Sequence, residues 1–175
     1  ANAVVVVKNS NLTGLNVVNV AAAGSNVTIN GGTITCNDNN ANENYAALAL
    51  NKDAVGAKIA TTGVTFNING DSKKASNGAE DGEITIDGST EGVAVNVAYI
   101  ESESDYYYAF TSIEAAIEAA NAGQTIALIR NVNLSEILVI NKAITLDGNG
   151  KTLTSTAGRA INVDCAGNVG IKNLT

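Results

Sequence analysis

Residues Val97–Thr156 carry the clearest structural pattern of this chain and read VAYIESESDYYYAFTSIEAAIEAANAGQTIALIRNVNLSEILVINKAITLDGNGKTLTST. A short apolar strand and an aromatic cluster come first, followed by an alanine-rich helix that we expect at 111–122. Apolar strands then recur at intervals of about 20 residues, with a tight turn at Asp147–Gly150 in which Gly or Asn supplies a positive φ. One helix among regularly spaced strands predicts a chain that is mostly β.

The helix is the best supported local element. Thr111 or Ser112 can cap its amino end, where the negative charge of Glu114 also suits the helix dipole. Four apolar residues at helical spacing form one stripe: Ile113, Ala116, Ile117 and Ala120. Gly123 is of the residue type that commonly ends helices. We therefore expect the stripe to be buried and the helix to cover open strand edges.

Residues 1–92 contain short apolar strands separated by Gly, Asn and Asp turns. Val27, Ile29 and Ile34 alternate with polar residues, which is typical of a strand with one buried face. Strands at this spacing fit a sandwich or a parallel stack, and the absence of clean two-residue hairpin turns favours the stack. The polar stretches Asn37–Asn44 and Asn69–Gly82 predict exposed loops.

The succession of strand, aromatic cluster, helix and spaced strands in Val97–Thr156 resembles the opening of a right-handed parallel β-helix of the pectate-lyase-like type, as found in bacterial surface proteins. The resemblance implies an all-β solenoid with one short amphipathic capping helix near 111–122, over which later coils stack. Residues 1–92 then look like later coils of a β-helix and residues 93–175 like the opening of one. It also implies an extracellular, cell-surface location. The same scaffold carries lyases, hydrolases, adhesins and inert stalks, so it does not assign a function.

Composition argues against several classes of protein. The net charge of −7 and the pI near 4.4 argue against nucleic-acid binding, which needs clustered Lys and Arg. Apolar residues make up 45% and aromatic residues 4%, which predicts an aliphatic core. The longest apolar stretches, around Ala3–Val7 and Val17–Ala23, are far shorter than the ~20 residues that span a bilayer. We therefore expect no membrane insertion. Because the sequence also shows neither an initiator methionine nor a signal peptide, we expect a processed product or an excised piece.

The sequence also argues against catalysis, and we expect neither enzymatic activity nor a cofactor. It contains no histidine, which removes Ser-His and Cys-His nucleophiles and the histidine used by hydrolases of this fold. A polysaccharide lyase or hydrolase fragment stays as the less favoured alternative: Asp147 and Asp164 would lie about one coil apart, but Asp residues at bends usually cap turns. Three basic residues would lie near them: Lys142, Lys151 and Arg159.

Two groups of side chains leave alternatives open. Cys36 and Cys165 are too few for a zinc site and are either buried free thiols or an oxidised pair within or between chains.

Tyr45, beside a polar stretch, is the candidate for a sugar contact, which would make the protein a carbohydrate-binding adhesin. The aromatic cluster at 106–110 is expected to seat the helix instead. The many asparagines suit tight bends and can stack in ladders along a β-helix.

Both ends of the sequence predict self-association. Ala3–Val7 is a bare strand former and Gly170–Thr175 stops in mid-pattern, and uncovered strand edges bind other strands. The chain is then an excised stretch of two modules, a permuted β-helix in which the last coil abuts the first, or a head-to-tail stack of molecules. In the stack, six apolar residues would meet at the junction: Val4, Val5, Val6, Val7, Ile171 and Leu174. All three arrangements predict a structural or adhesive element of an extracellular surface protein or filament.

Overall fold

A computed structural model describes residues 2–37, 46–70, 72–101 and 108–175. The protein is mostly β, with parallel sheets and one short helix, so the all-β character expected from the sequence is confirmed. The chain forms two compact units, Ala1–Val95 and Asn96–Thr175. Within the residues that the structure describes, no helix is long and apolar enough to span a membrane.

The described part of the first unit contains two parallel sheets. Its strands are β1 Val4–Gly14, β2 Val18–Val20, β3 Asn26–Asn37, β4 Ala46–Leu50, β5 Lys58–Thr62, β6 Thr65–Asn69, β7 Lys73–Asn77, β8 Glu83–Ile86 and β9 Val93–Val95. One sheet has the order β1-β3-β5-β8, with β6 also paired to β3, and the other has the order β2-β4-β7-β9. All of these strand pairings are parallel.

The parallel register stacks side chains in columns that run from strand to strand. Two columns of the first sheet are Val5–Val27–Ile59–Ile84 and Val7–Ile29–Thr61–Ile86. Every member beyond β1 is at most 8% exposed. Because alternate residues of a strand point to the same face, these columns form one wall of the aliphatic core of this unit.

One prediction for the first unit was wrong. The stretch Asn69–Gly82 was expected to be an exposed loop, but it contains β7, which pairs with β4 and β9. Ala75 and Ala79 are completely buried, and Asn77 is 5% exposed. The sequence of β7, KKASN, contains only one small apolar residue, so it lacks the apolar alternation by which a strand is predicted. The other predicted loop lies outside the described residues except for Asn37, which ends β3.

Asn77 can be buried because its side chain is satisfied locally. Its amide nitrogen donates to the carbonyl of Gly82 at 2.7 Å, and its amide oxygen accepts from the backbone N–H of Ala79 at 3.1 Å. Buried polar groups are normally paired in this way. Asn77 therefore closes the turn between β7 and β8 from inside the core.

The second unit has one helix and shorter strands. Its elements are β10 Ala98–Ile100, β11 Tyr108–Phe110, α1 Ile113–Ala119, β12 Thr125–Leu128, β13 Val132–Leu134, β14 Leu138–Ile140, β15 Thr145–Asp147, β16 Leu153–Ser155, β17 Ile161–Val163 and β18 Gly170–Lys172. Three successive strands, β12, β13 and β14, pair in parallel with the next three, β15, β16 and β17. β15 then pairs in parallel with β18, whereas β10 is antiparallel to both β11 and β12.

The helix packs as the sequence predicts. The side-chain oxygen of Ser112 accepts from the backbone N–H of Ala115 at 3.1 Å, which makes Ser112 the N-cap. The predicted apolar stripe is at most 3% exposed and belongs to the core of the second unit. Phe110 lies in the same cluster, so its predicted role in seating the helix is confirmed. Tyr106 and Tyr107 lie outside the described residues.

The predicted end of the helix was wrong. α1 ends at Ala119 with Ala120 as its C-cap, whereas Gly123, at φ +88°, belongs to the following turn. The Lys142 ammonium group explains the earlier end, because it donates to the carbonyls of Glu118 and Ala120. A cation at this position also suits the negative end of the helix dipole. The helix is therefore terminated by a side chain from a neighbouring segment.

Candidate assembly surfaces

The first candidate surface is the free edge of β1. Among the described strands of its sheet, β1 is paired only with β3, so one row of its backbone groups faces away from the sheet. Val5 is 45% exposed although its column neighbour Val27 is only 8% exposed. Val7 is half-buried and packs on the core. The apolar column that is covered inside the sheet is thus uncovered at its β1 end.

The structure divides the four predicted valines between two faces. Val5 and Val7 share the face of the buried columns, whereas Val4 and Val6 alternate with them and are 74% and 55% exposed. Val4 stands opposite Asn26 in the ladder, an exposed polar residue. Val5 and Val7 are consequently the two that continue the core at this edge.

The second candidate surface is the free edge of β18. Ile171 stands at the end of the column Ile126–Leu146–Ile171. The first two members are completely buried, whereas Ile171 is 46% exposed. Leu174 is half-buried and packs on the core of the second unit, so it supports this edge more than it lines it.

Sequence reasoning missed an uncovered apolar position on another sheet of the second unit. Val163, on β17, stands opposite the completely buried Ile140 but is itself 51% exposed. Like Ile171, it is the uncovered end of a buried column. The alternation in Ile161-Asn162-Val163 and its distance from Ile140 of about one strand repeat were the signals available in the sequence.

Two short asparagine contacts run between strands. The Asn69 side-chain nitrogen donates to the Asn37 side-chain oxygen at 2.7 Å, and the two residues are opposite each other in the ladder of β3 and β6. Two residues earlier in the same strand pair, the Asn67 side chain donates to the hydroxyl of Thr35 at 3.4 Å. One amide–amide bond of the kind expected in an asparagine ladder therefore occurs, on the exposed face of the strands; a ladder along successive bends stays a prediction.

Asp147 is held by the turn and by the strand next to it. One carboxylate oxygen accepts from the backbone N–H of Asn149 at 2.8 Å and from the side chain of Asn173 at 3.0 Å, and the other lies 3.1 Å from the Lys172 ammonium group. Burial would raise the pKa of Asp147, but the hydrogen bonds from Asn149, Asn173 and Lys172 together lower it below its ordinary value. The carboxylate thus fastens β18 to β15.

The acidic pair of the lyase alternative is not brought together in the sheet. The residue opposite Asp147 on the next strand is Lys172, while Asp164 follows β17 and donates its backbone N–H to the carbonyl of Ile140. Lys142 binds the end of the helix, and Arg159 donates to the side chain of Asn162 at 3.3 Å. In the described residues, no group of three or more His, Cys, Asp or Glu side chains is arranged to hold a metal ion.

The cysteines differ in environment. Cys36 is completely buried on β3, and its thiol donates to the carbonyl of Leu15 at 2.8 Å. Cys165 is half-buried, and its thiol contacts the carbonyl of Gly167 at 3.6 Å. Both are free thiols in the structure, and the oxidised pair stays a prediction. Tyr45, the candidate sugar contact, lies outside the described residues.

Comparison with known proteins adds no relative: no family model matches the chain, and no curated protein or solved structure does.

Proposed function

We propose that this protein is a non-catalytic structural element of an extracellular surface protein or filament of bacterial type, and that it assembles end to end by stacking its strands. The observation that carries the proposal is the state of the apolar columns. They are buried within the parallel sheets of each unit but end half-exposed, at Val5 on β1 and at Ile171 on β18.

The strand registers support winding of the sheets into the right-handed parallel β-helix that the sequence resembles. In the second unit three successive strands are repeated by the next three, each shifted by about 20 residues, as expected for one coil with three faces. In such a stack the hydrogen bonds run along the solenoid axis, so the end coils expose free backbone groups and uncovered core. The extracellular location rests on the resemblance.

The helix accounts for the difference between covered and uncovered edges in the second unit. α1 buries Ile113 and Ile117 against the core that β10 and β11 share. On β18 the corresponding apolar residue, Ile171, has no such cover among the described residues. A further strand at β18 would remove Ile171 from water, and complete burial of such a side chain contributes about 1.5–3 kcal/mol.

The proposal is tested by sedimentation velocity over a wide range of concentrations. We expect large, concentration-dependent assemblies for the unchanged chain and monomers for Val5→Lys. Val139→Lys is the matched control, because Val139 is 43% exposed but faces away from the buried Leu138 and Ile140 of its own strand. A chain that stays monomeric at every concentration would refute the proposal, as would equal loss of assembly in both variants.

A further inference from the structure

The two candidate surfaces carry the same short pattern. β1 contains Val5-Val6-Val7-Lys8-Asn9, and the segment that includes β18 reads Val169-Gly170-Ile171-Lys172-Asn173. Each has two aliphatic residues separated by one position, then a lysine, then an asparagine. The free edges of β1 and β18 therefore match in residue type at four of these five positions, and Val6 corresponds to Gly170.

The backbones match as well. Asn9 has φ +46° and Asn173 has φ +52°, the left-handed conformation that few residues other than glycine adopt. Each asparagine thus marks a bend at the end of an apolar pair. Within the first sheet the bend is already stacked, because Lys8 is opposite Asn30 and Ser10 is opposite Gly32, which aligns Asn9 with Gly31 at φ +68°.

The side chains also face corresponding directions. Val7 and Ile171 both continue columns of buried residues, Val7 onto Ile29 and Ile171 onto Leu146. Lys8 and Lys172 are exposed. A strand placed on β18 with the pattern of β1 would therefore extend the core and keep its lysine in water.

We propose that β1 of one copy adds in parallel to β18 of a second copy in one fixed register. Four pairs define it: Val5 with Val169, Val7 with Ile171, Lys8 with Lys172, and Asn9 with Asn173. This inference rests on the proposed end-to-end assembly and specifies its partner, a second copy of this chain, and its geometry.

Other registers fit the side chains and the bend less well. A slip of one residue turns every side chain to the wrong face. A slip of two places Asn173, in its left-handed bend, opposite Val7, which is extended and points to the core. Only the proposed register superimposes both the apolar pair and the bend.

The register has one electrostatic cost, which makes it recognisable. Neighbouring strands lie about 4.8 Å apart, so Lys8 would stand directly beside Lys172, which lies 3.1 Å from the Asp147 carboxylate. Adjacent like charges disfavour pairing, and salt screens them. Association should therefore strengthen as salt is added. Lys8→Glu should raise the association constant about fivefold at low salt, while Lys74→Glu, the same charge change on β7, should not.

Cysteine cross-linking tests the register directly, in a Cys165→Ser background. In one chain Lys8→Cys is combined with Lys172→Cys, which the proposed register places one strand spacing apart, within the Cα–Cα range of a disulfide. In the control chain Val6→Cys is combined with Lys172→Cys, which only the two-residue slip would bring together. We expect a ladder of disulfide-linked oligomers from the first chain and none from the second.

The outcomes separate the two proposals. Cross-linked oligomers from the Val6→Cys chain, or assembly of the unchanged chain without cross-linking of the Lys8→Cys chain, would overturn the register and leave the assembly standing. A cross-link that stays within one monomer would overturn both in favour of the permuted arrangement. Absence of any assembly of the unchanged chain would overturn the proposed function itself.

Discussion

Gly32→Ala is the substitution whose effect the structure defines most sharply. Gly32 lies on β3 opposite Ser10 of β1 and has φ +88°. A Cβ atom at this position would lie 2.1 Å from the carbonyl oxygen of Ser10 and 2.6 Å from its nitrogen. Both are backbone atoms of a strand in the middle of its ladder, so neither can move unless β1 moves with it.

The size of the effect follows from two contributions. An L-residue in the left-handed region costs about 1–2 kcal/mol, and a methyl group forced into a packed contact costs typically about 1–3 kcal/mol more. Gly63→Ala separates the two, because Gly63 has φ +61° but no atom within 4 Å of the added Cβ. We therefore expect Gly32→Ala to lower the free energy of unfolding by about 2–5 kcal/mol and Gly63→Ala by about 1–2 kcal/mol.

Urea unfolding followed by far-ultraviolet circular dichroism measures the difference between these two variants, as midpoint multiplied by slope. Hydrogen exchange then locates it, because protection should be lost in β1 of Gly32→Ala and retained in Gly63→Ala. Equal destabilisation of the two variants would mean that β1 does not lie as close to β3 as the structure has it, and the reasoning about stacked strands would fail.

Three further variants test other contacts. Ile117→Asp puts a carboxylate at a position that is 3% exposed, so the melting temperature should fall sharply and the chain should aggregate, whereas exposed Glu118→Lys should change little. Thr61→Val should raise the free energy of unfolding by about 1 kcal/mol in urea titrations, because the buried Thr61 hydroxyl has no hydrogen-bond partner in the described structure; Thr85→Val, at a half-buried position, should be close to neutral. Asp147→Asn should destabilise the protein at about pH 7, because a carboxylate whose pKa is lowered in the folded state stabilises fully above its ordinary pKa of 3.8. The difference in melting temperature should disappear as the pH falls through the lowered folded pKa, and a constant difference across pH would contradict this.

The structure could be predicted from the sequence where one local pattern dominated. The stripe of α1 and its cap at Ser112 follow from helical spacing and capping chemistry, and the structure confirms both. The bend at Asp147–Gly150 has the expected positive φ at Asn149 and Gly150. In these places the residues that determine the structure are close together in the chain.

The errors arose where distant contacts decide the structure. β7 is a strand because β4 and β9 flank it, and its own residues, KKASN, do not predict a strand. The helix ends early because Lys142 reaches its last carbonyls from a separate segment. Val163 was missed because its place at an apolar edge depends on its register with Ile140, which the spacing in the sequence indicates only approximately.

Diffraction from aligned, concentrated protein, together with electron micrographs of the same sample, tests the central claim most directly. The account predicts unbranched filaments with a repeat of about 4.8 Å parallel to the filament axis, because strands stacked end to end lie across that axis. Protein that stays monomeric in the micrographs, or filaments in which this repeat runs perpendicular to the axis, would contradict it.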